Sequence, residues 1–354
     1  MGATGKTVFV LGAGFTRAFL PRAPLLTDDY GGADLARRLQ GYPQARRILL
    51  QEMERHGDGR LNVERLLTRL DDGMPYDVDR RATEELALLG AELMQALVRR
   101  IEGARTGTLY RDDLLAFARR CIRDAAACVT FNYDDVLDRA LCEAARDPDR
   151  EPRERWHPDV GYGFVCPSSA TCVRAAEVRT TPSRIPLLKL HGSLNWRLKL
   201  GAKPPYTIDA LVHHEDWSAA APPQGGVDWE HVERHLTPSS FLVPPILAPS
   251  GLAAQPILGR LWSLAYRELE QAECVVFLGY SLPPAGLAAN FLFREACGHL
   301  RPSQVRVVNL AKSEEDRRDL RAAYRQVFPG IADERFDFQG AREWSRAWCQ
   351  DGDV

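Results

Sequence analysis

Apolar positions along the chain fall into two alternating patterns. Short continuous runs rich in β-branched residues predict buried strands: TVFVL at 7–11, CVTF at 128–131, PLLKL at 186–190, ECVVFLG at 273–279 and QVRVVNL at 304–310. Elsewhere apolar residues recur every three or four positions, over 33–54, 61–70, 80–102, 111–123, 257–272, 288–300 and 313–328, which predicts amphipathic helices. LNVERLLTRL and EELALLGAELMQALVRRI are the clearest of these. A helix is also expected in DDVLDRALCEAAR, another in GAREWSRAW near the end, and Ser313 stands where an N-cap belongs. Strands alternating with helices predict an α/β fold, a Rossmann-like doubly wound parallel sheet covered on both faces. The helices between 31 and 125 form an insertion between the first and second strands. Residues 146–185 and 198–240 lack periodicity and read as irregular insertions in a single domain spanning 1–354. FLVPPIL at 241–247 carries two prolines, which suits an edge strand or an extended loop.

Four motifs stand at or beside the ends of these strands: GAGFT at 12–16, FNYDD at 131–135, LHGS at 190–193 and LGYSLPP at 278–284. A doubly wound sheet places its ligand at the carboxyl ends of its strands, so the four loops are expected to build one site. In GAGFT, glycines would let the backbone approach a phosphate at a helix N-terminus, and Thr16 adds a hydroxyl. The dinucleotide fingerprint G-x-G-x-x-G is incomplete, because Arg17 or Ala18 stands where its last glycine would be. In FNYDD, Asn132 can hold a ribose hydroxyl or a water, while one of Asp134 and Asp135 is expected to cap the following helix. His191 can take a proton near neutral pH, and Gly192 beside it would leave room for a ligand. Gly279 and Ser281 suit a second phosphate- or ribose-binding turn, and Asn309 ends a further strand.

Composition narrows the picture only a little. The 46 basic and 48 acidic residues leave a net charge of -2, with no general pull toward nucleic acid or acidic membranes. No apolar stretch approaches the ~18–20 residues of a membrane span, and the first residues run straight into a strand, so a cytoplasmic protein is expected. None of the eight cysteines forms a C-x-x-C pair. Cys128, Cys142, Cys274 and Cys297 read as small core residues; Cys166 and Cys172 are close in sequence but lack two further zinc ligands. His213, His214, Glu215 and Asp216 form a metal-like cluster that reads better as a solvated loop. The tryptophans at 196, 217, 229 and 262 fit core or loop packing better than base stacking.

The order GAG-F-T, FNYD, LHGS, LGYS and VVN resembles that of the sirtuins, and in particular the bacterial SIR2-like branch that hydrolyses NAD+ in anti-phage defence. The resemblance covers roughly 7–310. It implies that Gly12, Ala13, Gly14 and Thr16, with Phe15 in the same turn, cradle the NAD+ pyrophosphate. It implies that Asn132 orients the reacting ribose or water, Asp134 holds the nicotinamide carboxamide, and His191 is the general base. Gly279 and Ser281 would bind phosphate and ribose, and Asn309 the adenosine side. Two departures argue against protein deacylation: the paired C-x-x-C zinc module is missing, and FLPRAPLLTDDY replaces the usual G-I-P-D-F-R. The resemblance thus implies a sirtuin-like fold without a zinc ribbon, and NAD+ as substrate with no metal. It further implies activation within a homo-oligomer or by a separate sensor subunit, such as a helicase-like ATPase, an Argonaute-type protein or a phage component. The alternatives are a non-catalytic subunit that binds NAD+ or ADP-ribose, and a deacylase or ADP-ribosyltransferase.

Overall fold

Strand β1 (Thr7–Leu11) lies at the centre of a six-stranded parallel sheet. It pairs on one side with β2 (Ala127–Thr130), which pairs with β3 (Leu187–Lys189). β4 (Trp196–Leu198) and β5 (Leu211–His213) form a separate antiparallel pair. On its other side β1 pairs with β6 (Cys274–Leu278), followed by β7 (Val305–Val308) and the two-residue β8 (Phe336–Asp337). The computed structural model describes residues 5–25, 28, 30–55, 61–71, 80–145, 156–165, 182–203, 205–213, 240–243, 255–283 and 286–351. Cys166, Cys172, Trp217, Trp229, His214, Glu215 and Asp216 lie outside them.

The helices among these residues are α1 (Ala13–Phe19), α2 (Gly32–Arg38), α3 (Pro43–Arg55), α4 (Val63–Asp71), α5 (Arg80–Ala104) and α6 (Arg111–Arg123). They continue with α7 (Val136–Ala144), the single turn α8 (Pro158–Gly161), α9 (Pro256–Glu270), α10 (Leu287–Ala296), α11 (Glu314–Val327) and α12 (Ala341–Asp351). Alternation along the strands divides the helices between two layers. Phe9 points from β1 into one face, edge-on to Phe117 of α6 at 5.3 Å and to Trp348 of α12 at 4.9 Å. Phe277 points from β6 into the other, against Phe293 of α10 and Tyr324 of α11, both at 5.0 Å. Ser313 caps α11 as its sequence position predicts, accepting the Asp316 N–H at 3.0 Å.

The helical insertion has a core of its own. Leu89, Leu93, Leu97 and Ile101 repeat along one face of α5 and pack on Leu49, Leu66 and Leu67. Tyr133 and Leu194, from the loops after β2 and β3, enter that same core, so the block is mated to the sheet at the strand ends. Two elements depart from the expectation. Part of the stretch read as irregular from 198 pairs as β4 and β5, whose three-residue length is too short for a period to show. The 241–247 segment contributes one antiparallel bridge, Leu242 to Gly192, and its residues from 244 on lie outside the described ones.

Candidate functional site

The chain leaves β1 toward β2 and β3 but leaves β6 toward β7 and β8, so the sheet order reverses between β1 and β6. At such a reversal the loops diverge and leave a crevice. Here the two loops interlock by backbone. The Gly12 N–H donates to Leu278 O at 3.1 Å, Gly14 N–H to Gly279 O at 2.9 Å, and Gly279 N–H to Val308 O at 2.8 Å. Gly279 is left-handed at φ +61°, and a Cβ there would lie 2.0 Å from Phe15 N. The glycines therefore admit one loop to the other, and the Gly14 N–H expected for a phosphate is engaged by Gly279. Gly279→Ala is expected to cost at least about 3 kcal/mol, from strain plus overlap with backbone that cannot yield. Chemical denaturation would measure the loss; a cost under about 1 kcal/mol would show the interlock to be loose.

A cavity of about 660 Å³ opens at this point, within the usual range for ligand sites. Its floor is built from Gly12, Ala13, Gly14, Thr16, Asn132, Asp134, His191, Gly279, Ser281 and Asn309. Ten of the eleven residues to which the resemblance assigns a role thus line one space. The exception is Phe15, whose ring is buried in the core 5.0 Å from Phe19 and 5.2 Å from Phe117. Its side chain packs α1 and does not face the cavity, because one helical turn cannot turn both Phe15 and Thr16 the same way.

The polar groups on the floor form a chain. Asn132 Nδ2 donates to Gly12 O at 2.8 Å and to Thr16 Oγ1 at 3.0 Å. This leaves the Asn132 Oδ1 as the acceptor for a ligand hydroxyl or a water. Thr16 Oγ1 donates to Asp134 Oδ2 at 2.7 Å, and Asp134 Oδ1 accepts the Val136 N–H at 3.1 Å. Asp134 thus takes the first N–H of α7 from one residue before the N-cap; the N-cap itself, buried Asp135, makes no side-chain cap and pairs with Arg105 at 2.7 Å and Arg139 at 2.9 Å. Burial raises the Asp134 carboxyl above its ordinary range; the nearby Lys189 cation and the Thr16 hydroxyl pull it back. Ser281 is exposed, and Asn309 accepts the Leu310 N–H at 2.9 Å.

His191 sits among rings. Phe131 meets it edge-on at 5.2 Å and Tyr133 lies 6.1 Å away, while Phe131 stacks on Tyr280 at 4.9 Å. Desolvation in this surround pulls the imidazole down to about 4, so it is neutral at pH 7. Trp262 joins the same wall and donates from Nε1 to Leu190 O at 3.3 Å. Gly192 makes room not for a ligand but for chain: a Cβ there would lie 2.2 Å from Phe241 O.

Below the floor lies a buried polar network that the motifs did not reveal. Lys189 is fully buried; its ammonium donates to Asp134 O and to Asp138 at 3.1 Å. Tyr162 donates to Asp138 at 2.6 Å, Asn195 Nδ2 to the Tyr162 hydroxyl at 3.0 Å, and Ser193 Oγ to Asn195 Oδ1 at 2.5 Å. The signal was present as a lysine inside an otherwise apolar strand, which requires a buried counter-charge. The helical insertion and the loop before it supply a further wall, through Leu97, Ile101 and Arg105 and through Tyr30. None of these four carried a sequence signal, since each reads as an ordinary helix-face or loop residue.

No family model matches the chain, and no curated protein matches it. Solved structures do. One described as a Sir2 homolog–NAD complex is 14% identical with a TM-score of 0.44, over 98% of this chain and 90% of that chain. Another, of Sir2 enzymes, is 14% identical with a TM-score of 0.41, over 98% and 92%. A third, a Sir2 protein bound to a propionylated peptide, is 12% identical with a TM-score of 0.36, over 98% and 93%. By its own strand order the chain is a doubly wound parallel α/β protein with a cavity, among the described residues, at the point where that order reverses.

Proposed function

We propose that the chain is an NAD+ glycohydrolase, cleaving NAD+ to nicotinamide and ADP-ribose. The observation that carries the reading is the meeting of Asn132, Thr16, Asp134 and a neutral His191 on one cavity floor at the switch point of the sheet. The order of the motifs that bring them there is the sirtuin order. Breaking the nicotinamide–ribose bond releases a neutral base and passes through an oxocarbenium-like state, as in glycoside hydrolysis. The site must then hold the ribose, deliver water and take its proton. Asn132 Oδ1 would orient the water or a ribose hydroxyl, and His191 would accept the proton. Asp134 would accept the carboxamide N–H on lone pairs that Thr16 and Val136 leave open. The aromatic wall of Phe131, Tyr280 and Trp262 suits a planar ring and excludes bulk water. The motif resemblance extends the reading to a defence enzyme switched on by assembly or by a separate sensor subunit.

One observation favours a binding module instead. Among the described residues, no hydrogen bond holds the His191 ring, and a general base is usually oriented by a third group. Incubating the purified chain with NAD+ and no peptide, then resolving the products by chromatography, tests the proposal. Nicotinamide with ADP-ribose is the expected result. Nicotinamide release only on addition of an acylated peptide would make it a deacylase, and tight NAD+ binding without turnover, alone and with candidate activators, would make it a sensor.

A further inference from the structure

We infer that Arg105 is the side chain that takes the diphosphate of the bound dinucleotide. The inference rests on the nucleotide reading of the cavity, not on turnover. Two phosphates carry formal negative charge into a partly enclosed space and need charge-assisted donors. The turn after β1 supplies fewer than its sequence promises: the Gly14 N–H is engaged by Gly279 O and the Phe15 N–H by Gly12 O. The charged side chains lining the cavity are Arg105, Asp134, Asp316 and Asp319, so Arg105 is the sole fixed cation among the described lining residues. Asp316 and Asp319 stand on the wall built by α11 and would repel phosphate there.

Arg105 is also placed so that it can change partners. Its Nη2 bonds Asp135 Oδ1 at 2.7 Å, yet its side chain keeps 25% of its surface exposed. Asp135 is 1% exposed and holds a second guanidinium, since Arg139 reaches its Oδ2 from Nε at 3.0 Å and from Nη2 at 2.9 Å. When Arg105 turns to a phosphate, Asp135 stays neutralised by Arg139, and no buried charge is stranded. Asp135 is joined through the chain to Asp134, whose carboxylate holds Thr16 in the turn after β1. Arg105 thus lines the same cavity as Gly12, Ala13, Gly14 and Thr16, the residues that would meet a dinucleotide's middle.

Equilibrium binding of ADP-ribose and of adenosine to the full chain separates this role from a structural one. Arg105→Gln is expected to weaken ADP-ribose about 10- to 100-fold, the range for losing a charged hydrogen-bonding partner. Adenosine affinity should change less than about twofold, because it has no phosphate. Arg105→Lys keeps the charge without the fork and should fall between wild type and Arg105→Gln. Arg139→Gln removes the partner that keeps Asp135 neutralised when Arg105 turns away, so it should also weaken ADP-ribose relative to adenosine, by less than Arg105→Gln does. Equal loss for both ligands in Arg105→Gln, or no loss for either, would overturn the inference. Should Arg105→Gln fail to fold, an ADP-ribose affinity unchanged in Arg105→Lys would overturn it. Wild-type chain that binds neither ligand would overturn both this and the nucleotide reading. Arg105-dependent ADP-ribose binding without NAD+ cleavage would remove the hydrolase reading alone.

Discussion

Replacing His191 with alanine is expected to lower the rate of NAD+ cleavage by about 10²- to 10⁴-fold, with ADP-ribose binding kept within about threefold. The imidazole faces the same cavity as Asn132 and Asp134, and desolvation holds it neutral well below pH 7. A base acts in its unprotonated form, so its protonation sets the acid limb of kcat/KM. With the ring at about 4, that limb should be centred near pH 4, and the rate should be flat from about pH 8 down to about pH 5. A histidine at its ordinary value would instead halve the rate near pH ~6.5. The same shift acts on stability. The unfolded chain takes up the proton first, so the His191 contribution is complete above about pH 6.5 and lost as the pH falls toward about 4. Unchanged turnover by His191→Ala at pH 7 would remove the base from the mechanism, and an acid limb of kcat/KM near ~6.5 would show that the ring titrates normally in the free enzyme.

Lys189→Met is expected to destabilise the fold by about 3–5 kcal/mol, the cost of leaving a buried carboxylate without its partner. Lys189 is fully buried, and its ammonium joins β3 to α7 through Asp138 and to the loop after β2 through Asp134 O. Burial already raises the Asp138 carboxyl above its ordinary range, and Lys189, with the Tyr162 hydroxyl, draws it down. Without the cation, Asp138 must take a proton or lose its place, and the Tyr162 and Asn195 hydrogen bonds loosen with it. The double variant Lys189→Met with Asp138→Asn should recover part of the loss, because both charges leave together. Urea unfolding of the four chains of the cycle measures the coupling. A single-variant cost under about 1 kcal/mol, or strict additivity, would show that the pair does not hold the two strand ends together.

Much of this architecture was legible before any coordinates. The five apolar runs are five strands of the sheet, and the four loop motifs do meet, because a parallel sheet sends all its strand ends to one edge. The paired β4 and β5 and the short β8 were not legible, since two or three residues cannot display a period of two. GAGFT gave the turn but not the contact its glycines make with the loop after β6: a residue type tells that backbone comes close, not which backbone. Phe15 was carried with its motif although a ring beside two core phenylalanines belongs to packing. Leu97 and Ile101 of α5, Arg105 in the turn after it and Tyr30 before α2 were invisible as site residues because none of them lies in one of the four loop motifs. Tertiary contact alone makes them part of the site.

The interlock of the loops after β1 and β6 has a consequence for the order of events at the ribosome. Gly14 and Gly279 touch, yet the synthesis of one precedes that of the other by most of the chain. At about 5–20 residues per second the gap lasts on the order of ten seconds or more. During that interval the emerged segments can form the helical block and pair β1 with β2 and β3, but the floor beneath the ligand has only one side. Translation must pass β6 before the pocket closes, so a stalled or truncated nascent chain holds no complete site.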